Sequence, residues 1–198
     1  MKKLMLKKIS LLIAISCCIS CQMHEPVLQP PTGPYFQSLS VKFSFADGTT
    51  RQNGRIHWRF DDHSAKFIFF TALNQAGLEL DADGESALLI NFQKKAFWRG
   101  DFMVLLDRLW GIELELAQLK QLLLEGLVPQ AAIDRQGLIV LLEKNARTGA
   151  PEVVRLQRGS SDLTLRIYKN ERRPGKLVFI DYEERYRAAD LESVLDDD

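Results

Sequence analysis

No cysteine follows Cys21; the three in the chain are Cys17, Cys18 and Cys21. A disulfide framework is therefore excluded beyond that point, and stability there has to come from a hydrophobic core. Histidine is as scarce, with only His24, His57 and His63. No HExxH, GxSxG or P-loop spacing occurs, and the one CxxC, Cys18 to Cys21, closes an apolar N-terminal stretch with no second cysteine pair to complete a site. The sequence therefore offers no metal centre, no cofactor site and no catalytic residue set. No run of about 20 apolar residues is present to cross a bilayer as a helix. An excess of positive charge is missing too. The chain has 26 basic and 26 acidic residues, and setting aside the first twenty, with Lys2, Lys3, Lys7 and Lys8, leaves 22 against 26. That balance speaks against nucleic acid as a partner, which calls for a basic face, and against electrostatic docking on a membrane.

What is present begins at the N-terminus. Four lysines precede an uncharged stretch from Ile9 to Ser20, and Cys21 follows a small residue. A basic n-region, a short apolar h-region and a small residue at the cut describe an export signal. A cysteine directly after the cut makes it a bacterial lipoprotein signal, with acyl chains on Cys21. Cys17, after Ser16, is the alternative acceptor, but it leaves a shorter apolar stretch. The expected organisation is a signal peptide over 1–20, an acylated N-terminus and tether over 21–34, and one domain over 35–198. The tether holds four of the seven prolines and no hydrophobic period.

The domain opens with period-two alternation. Leu39, Val41, Phe43 and Phe45 alternate with serines and Lys42, and Ile56, Trp58 and Phe60 alternate with His57 and Arg59. Asp47-Gly48, Asn53-Gly54 and Asp83-Gly84 supply turn dipeptides between antiparallel strands, and the strands over 67–71, 78–80 and 87–92 complete a meander. Such alternation predicts a sheet with one apolar and one wet face. The period then changes. Phe102, Leu105, Leu106, Leu109 and Trp110 share a helix face ended by Gly111, and Leu116, Leu119, Leu122 and Leu123 share another ended by Gly126. Strands resume over 138–143, 153–158, 163–169 and 177–182. The expected fold is mainly β with α, one antiparallel sheet whose apolar face is covered by a helical insert.

Asp61-Asp62-His63-Ser64 holds the residue types of a hydrolytic triad, yet adjacent residues cannot form a spatial relay. It reads as a polar turn, and an enzyme is the least supported class. The apolar face is instead rich in large groups: Phe43, Phe45, Trp58, Phe60, Phe67, Phe69 and Phe70 come from three neighbouring strands. Periodicity does not separate a filled core from a lined cavity, so both stay open.

The order of elements resembles a known family. The Gly54-Arg55-Ile56-His57-Trp58 strand leads to the Leu78-Glu79-Leu80 strand and the Asp83-Gly84 hairpin. A helix ending Leu109-Trp110-Gly111 follows, and then the stretch from Leu119 to Pro129. In that order they are similar to LolB and the wider LolA/LolB-like lipoprotein-localisation family. The resemblance implies an incomplete antiparallel β-barrel, a half-barrel with short helices as its lid or plug, and an apolar cavity for lipoprotein acyl chains. On that basis the cavity is expected to use Phe43, Phe45, Ile56, Trp58, Phe60, Phe67, Phe69, Leu105, Leu109 and Trp110. Leu73 aligns with the family's membrane-insertion leucine, although Thr71-Ala72-Leu73-Asn74 lacks the proline and glycine usual there. The implied partners are acyl chains of lipoproteins or another lipid and a soluble periplasmic LolA-like carrier, with the outer membrane, periplasmic face, as location. A same-fold lipoprotein binding another partner, and a structural lipoprotein with a filled core, are the alternatives.

If Cys21 carries the anchor, Cys21→Ser abolishes radiolabelled-palmitate incorporation and releases the protein from membranes; continued labelling of that variant moves the anchor to Cys17.

Overall fold

Alternating apolar and polar side chains can bury one face of a strand only, so each strand needs neighbours that continue that face. The computed structural model describes residues 33–195 and shows how the chain supplies them. An antiparallel meander runs through β1 (Tyr35–Ala46), β2 (Arg51–Phe60), β3 (Ser64–Phe70), β4 (Ala76–Asp83), β5 (Ser86–Asn91) and β6 (Ala96–Asp101). Three helices follow, α1 (Phe102–Trp110), α2 (Leu116–Glu125) and α3 (Gln130–Gln136). The chain returns to strand in β7 (Ile139–Lys144), β8 (Pro151–Arg158) and β9 (Ser161–Pro174), and finishes with β10 (Arg187–Ala188) and α4 (Leu191–Leu195). β9 pairs back onto β1, giving one sheet in the order β10-β6-β5-β4-β3-β2-β1-β9-β8-β7. Its two edges, β10 and β7, do not pair, so the barrel is incomplete. The half-barrel with short helices expected from the sequence is the fold. Gly33–Asp198 forms one compact unit, and every core residue described lies inside it. No described helix is long and apolar enough to cross a membrane. The N-terminal signal, Cys21 and most of the tether fall outside the described residues.

The helices start and stop where local chemistry dictates. The Asp101 carboxylate accepts from the backbone N–H groups of Met103 and Val104 at 2.7 and 3.1 Å, capping α1. Gly111 ends it at φ 67°, a left-handed conformation that glycine adopts without a Cβ penalty. The sequence reading missed β6, α3 and α4, which are short and lack a full period.

Three other expectations are corrected. Asn53-Gly54 is not a turn; both residues lie within β2, opposite Ser44 and Phe43 of β1. Gly54 is there because the Phe43 ring crosses over it, and a Cβ would come within 2.5 Å of that ring. Phe70 leaves the apolar face, because alternation from the inward Phe67 and Phe69 turns it outward, opposite Arg55. The segment over 177–182 is no strand. Pro174 and Gly175 end β9, and the chain then crosses the outer face of the sheet before Arg187 and Ala188 join the β6 edge.

That crossing makes part of the outer face dry. Lys66, Glu79 and Asp81, on adjacent outer positions of β3 and β4, are buried beneath it. Lys66 Nζ lies 2.6 Å from Glu79 Oε1 and 3.2 Å from Asp81 Oδ1, and it sits 5.4 Å from the centre of the Phe179 ring. Tyr182 and Tyr186 pack on Phe92, and the Asn91 amide donates to the Val194 carbonyl at 2.9 Å. Burial, then the nearby Glu79 and Asp81 charges, pushes the Tyr182 phenol up to about 12.

Neither Asp81 oxygen accepts a well-directed hydrogen bond, and burial raises its carboxyl to about 6 despite Lys66. The folded state thus holds more protons than the unfolded chain between about pH 4 and 6, and stability from this group falls as pH rises through that window. Asp81→Asn, which leaves Lys66 its bond to Glu79, should stabilise the fold by about 1–3 kcal/mol at pH 7. Urea melts at pH 7 and near pH 4 should show that gain shrinking at the acid end.

Candidate functional site

The concave face of the sheet is where the expected site residues fall. Phe45, Ile56, Trp58, Phe60, Phe67, Leu105 and Trp110 are all buried in one continuous core, with Phe43, Phe69 and Leu109 partly buried at its margin. Alternation brings this about on the strands, since Leu39, Val41, Phe43 and Phe45 share one face of β1 and pair with the matching face of β2 and β9. On α1 the same job falls to the helical repeat, which buries Phe102, Leu105, Leu106 and Trp110.

Trp110 is the point of closure. Its ring meets Phe43, Trp58 and Phe69 with centroids 6.4, 6.2 and 6.1 Å apart. Phe102, at the other end of α1, stacks on Phe67 at 6.0 Å. Deeper in, Trp58, Phe60 and Phe67 form a mutual edge-to-face triangle, with Trp58 and Phe67 as close as 5.2 Å. The expectation joined these residues in one cluster, and the structure does bring them together. It fills the cluster with their own side chains. Of the two clefts described, of about 480 and 390 Å³, the first touches this cluster only at Phe102, and none of the ten expected cavity residues lines either.

Exposure along the concave face is graded. Trp58, Phe67 and Leu80 form a fully buried row, whereas Phe69 and Leu78, one inward-facing row nearer the β3–β4 turn, remain partly open. That turn carries Leu73, 81% exposed. It is held by Thr71 N–H donating to the Gln75 carbonyl and Asn74 N–H to the Thr71 carbonyl, both at 2.9 Å. Leu73 therefore stands clear of the strand ends at the more open end of the core.

The helices are fastened at their ends by polar groups of the rim. Arg158 at the end of β8 donates to Asp107 at 2.8 Å and to the Gly111 carbonyl at 3.3 Å, and pairs with Glu113 at 3.0 Å. Lys120 of α2 donates to the Asp61 carbonyl at 2.5 Å. Exposed pairs of this kind each contribute about 0–1 kcal/mol, so aromatic packing holds α1 down far more than its salt bridges do.

Inside the core one polar atom has no partner. Trp58 Nε1 is buried without an acceptor, an uncommon and costly state for a donor. Sequence reasoning placed Trp58 on this face but had no means of finding its free N–H. It also left Phe102 out of the site, although the helical spacing with Leu105 and Leu106 was available to include it.

The triad residue types at 61–64 serve a turn. Asp61, His63 and Ser64 form a turn in which the Asp61 carboxylate accepts from the backbone N–H groups of His63 and Ser64 at 3.1 and 2.8 Å. His57 lies on the outer face beside Ser38 and Ser40, at 3.2 and 3.4 Å. Among the described residues no group of three or more His, Cys, Asp or Glu could hold a metal ion. Removing the keystone should be expensive: Trp110→Ala is expected to cost about 3–5 kcal/mol in a denaturant melt, the range for a large aromatic deleted from a packed core.

A search of curated proteins finds no match to this chain. A family model described as "Outer membrane lipoprotein LolB" matches residues 37–169. That span takes in the sheet from β1 through most of β9 together with α1, α2 and α3, and so both the concave face and the helices that close it. The chain belongs to the LolB family of outer-membrane lipoproteins, whose role is lipoprotein localisation.

Proposed function

We propose that this protein is a lipid-anchored, non-enzymatic carrier and receptor that shelters lipoprotein acyl chains in its half-barrel and helps to insert lipoproteins into the outer membrane. Its site is the concave aromatic face, reached from the end that bears Leu73. The anchor is the acylated Cys21, which holds the domain at the periplasmic face, and the donor of cargo is a soluble LolA-like carrier. The observation that carries this reading is an apolar interior closed by a helix, in a chain of the LolB family.

The physical case rests on the cost of exposing lipid to water. Each methylene moved out of water is worth about 0.8 kcal/mol, so an acyl chain in transit needs an apolar enclosure. In the closed form the enclosure is occupied by Trp110, Phe69 and their neighbours, and cargo enters as α1 withdraws. Cargo replaces the lost aromatic contacts with contacts of its own, so opening and loading offset each other. The unpartnered Trp58 N–H then meets the carbonyl of an acyl linkage. Leu73 reaches the bilayer during release.

A filled structural core is the second reading, favoured by the complete burial of Trp58, Phe60 and Phe67. A fluorescent fatty-acid titration beside a denaturant melt separates the two. Phe67→Ala, in the deepest layer, should cost about 3–5 kcal/mol of stability. Phe69→Ala, at the partly open margin, should cost less while weakening fatty-acid binding. Absence of any binding by the wild-type protein would leave the structural reading.

A further inference from the structure

Net charge hides where the charge sits. β1, β2 and β9 are neighbours in the sheet, and together they carry eight basic residues and two acidic ones. Both acids are already engaged, Asp162 with Arg155, and Glu171 with Lys169 and Arg173 at 2.8 and 2.7 Å. On the outer face, Arg166, Lys42 and Arg55 stand directly opposite one another on β9, β1 and β2. Strands about 4.8 Å apart place these three α-carbons within about 10 Å. All three side chains are exposed, and among the described residues none of them meets a carboxylate. Arg55 donates instead to the Asn74 side chain at 2.8 Å, and Lys42 Nζ lies over the Tyr168 ring at 5.9 Å.

Like charges directly opposite one another weaken a sheet, so folding gives no reason for this row. Other cations crowd the next outward row: His57 there is held below its ordinary value by burial first and then by Arg59, Arg173 and Lys169. The bond from Arg55 to Asn74 also ties the row to the turn that presents Leu73. Beside it stand the Tyr168 ring, 55% exposed, and Phe70, set opposite Arg55. Cations, an amphipathic aromatic and a protruding leucine on one surface are what a membrane interface binds.

We infer that the Arg166–Lys42–Arg55 row, with Leu73 and Tyr168 beside it, docks this domain on a bilayer through the phosphates of anionic phospholipids. This overturns for one face what the net charge implied for the whole. The insertion of Leu73 rests on the function proposed above; the cation row stands without it. Docking by two weak signals, charge and one apolar side chain, gives reversible contact and orients the open end of the core toward the lipid surface.

The test uses residues 33–198, which carry their own core, without the acyl anchor. Sedimentation with vesicles of phosphatidylethanolamine and phosphatidylglycerol is compared with vesicles of phosphatidylcholine alone. The wild-type domain should favour the anionic vesicles at low salt and release as ionic strength rises. Each charge removed should lower partitioning about fivefold, so Lys42→Gln, Arg55→Gln and Arg166→Gln together should lower it roughly 100-fold. The melting midpoint of that triple variant should hold or rise, since a repulsion is removed. Leu73→Asn should weaken binding further without altering its salt dependence. Wild-type binding by the triple variant would overturn the inference, as would equal binding to both vesicle types, which would leave the row to an acidic protein surface. Fatty-acid binding measured on the same samples should be unaffected by the charge changes. Its absence from the wild type would count against the carrier function alone.

Discussion

An antiparallel sheet that curls without closing leaves a concave apolar surface, and the whole molecule depends on how that surface is covered. Here α1 covers it, and Trp110 is the residue through which it does so. Three strands contribute the rings that Trp110 meets, so the position of one helix is coupled to the relative placement of β1, β2 and β3. Dispersion and apolar burial supply the attraction, with little directional bonding. The polar fastenings at Arg158 and Lys120 fix the helices in register more than they hold them down. A cover held mainly by packing can be exchanged for another apolar occupant of similar volume more readily than one held by directional bonds.

The two faces of the same sheet are managed by different physics. Inside, the only unpartnered polar atom described is Trp58 Nε1. Outside, the chain after β9 folds back over β3 to β6 and encloses Lys66, Glu79 and Asp81. Buried ions are costly unless paired, and this group is paired unevenly. Glu79 has the short contact to Lys66, and Asp81 is left with the poorer one. The carboxyl that is worst served is the one whose titration moves into the range of ordinary pH. The C-terminal segment is thus joined to the sheet by aromatic contacts and by an electrostatic compromise. The segment lies beyond the matched stretch, while Lys66, Glu79 and Asp81 lie within it.

At one end of the sheet several features converge. The inner core is least covered there, at Phe69 and Leu78, and the β3–β4 turn lifts Leu73 into solvent. Arg55 reaches from the outer face to the same turn. On the proposed function, the end that admits lipid is also the end that meets the membrane.

Local pattern was enough to place most elements. The alternation of Leu39 to Phe45 and of Ile56 to Phe60, the turns at Asp47-Gly48 and Asp83-Gly84, and the helices ended by Gly111 and Gly126 are all written within a few residues of where they occur. Such patterns also identified which side chains share the apolar face, because side-chain direction follows from the period alone. What the period does not contain is the identity of whatever lies across from that face. Whether Trp58 and Phe67 line a space or fill it depends on where α1 rests, and that is set by packing across many residues of sequence. Gly54 looked like a turn residue until the Phe43 ring was seen to need its place. The segment over 177–182 had the composition of a strand but lies across the outer face, with Phe179 over Lys66. Lys42, Arg55 and Arg166 were scattered charges in a chain of slightly acidic balance, and only strand register set them side by side. Composition counts charges and periodicity assigns faces; register and packing decide which of them meet.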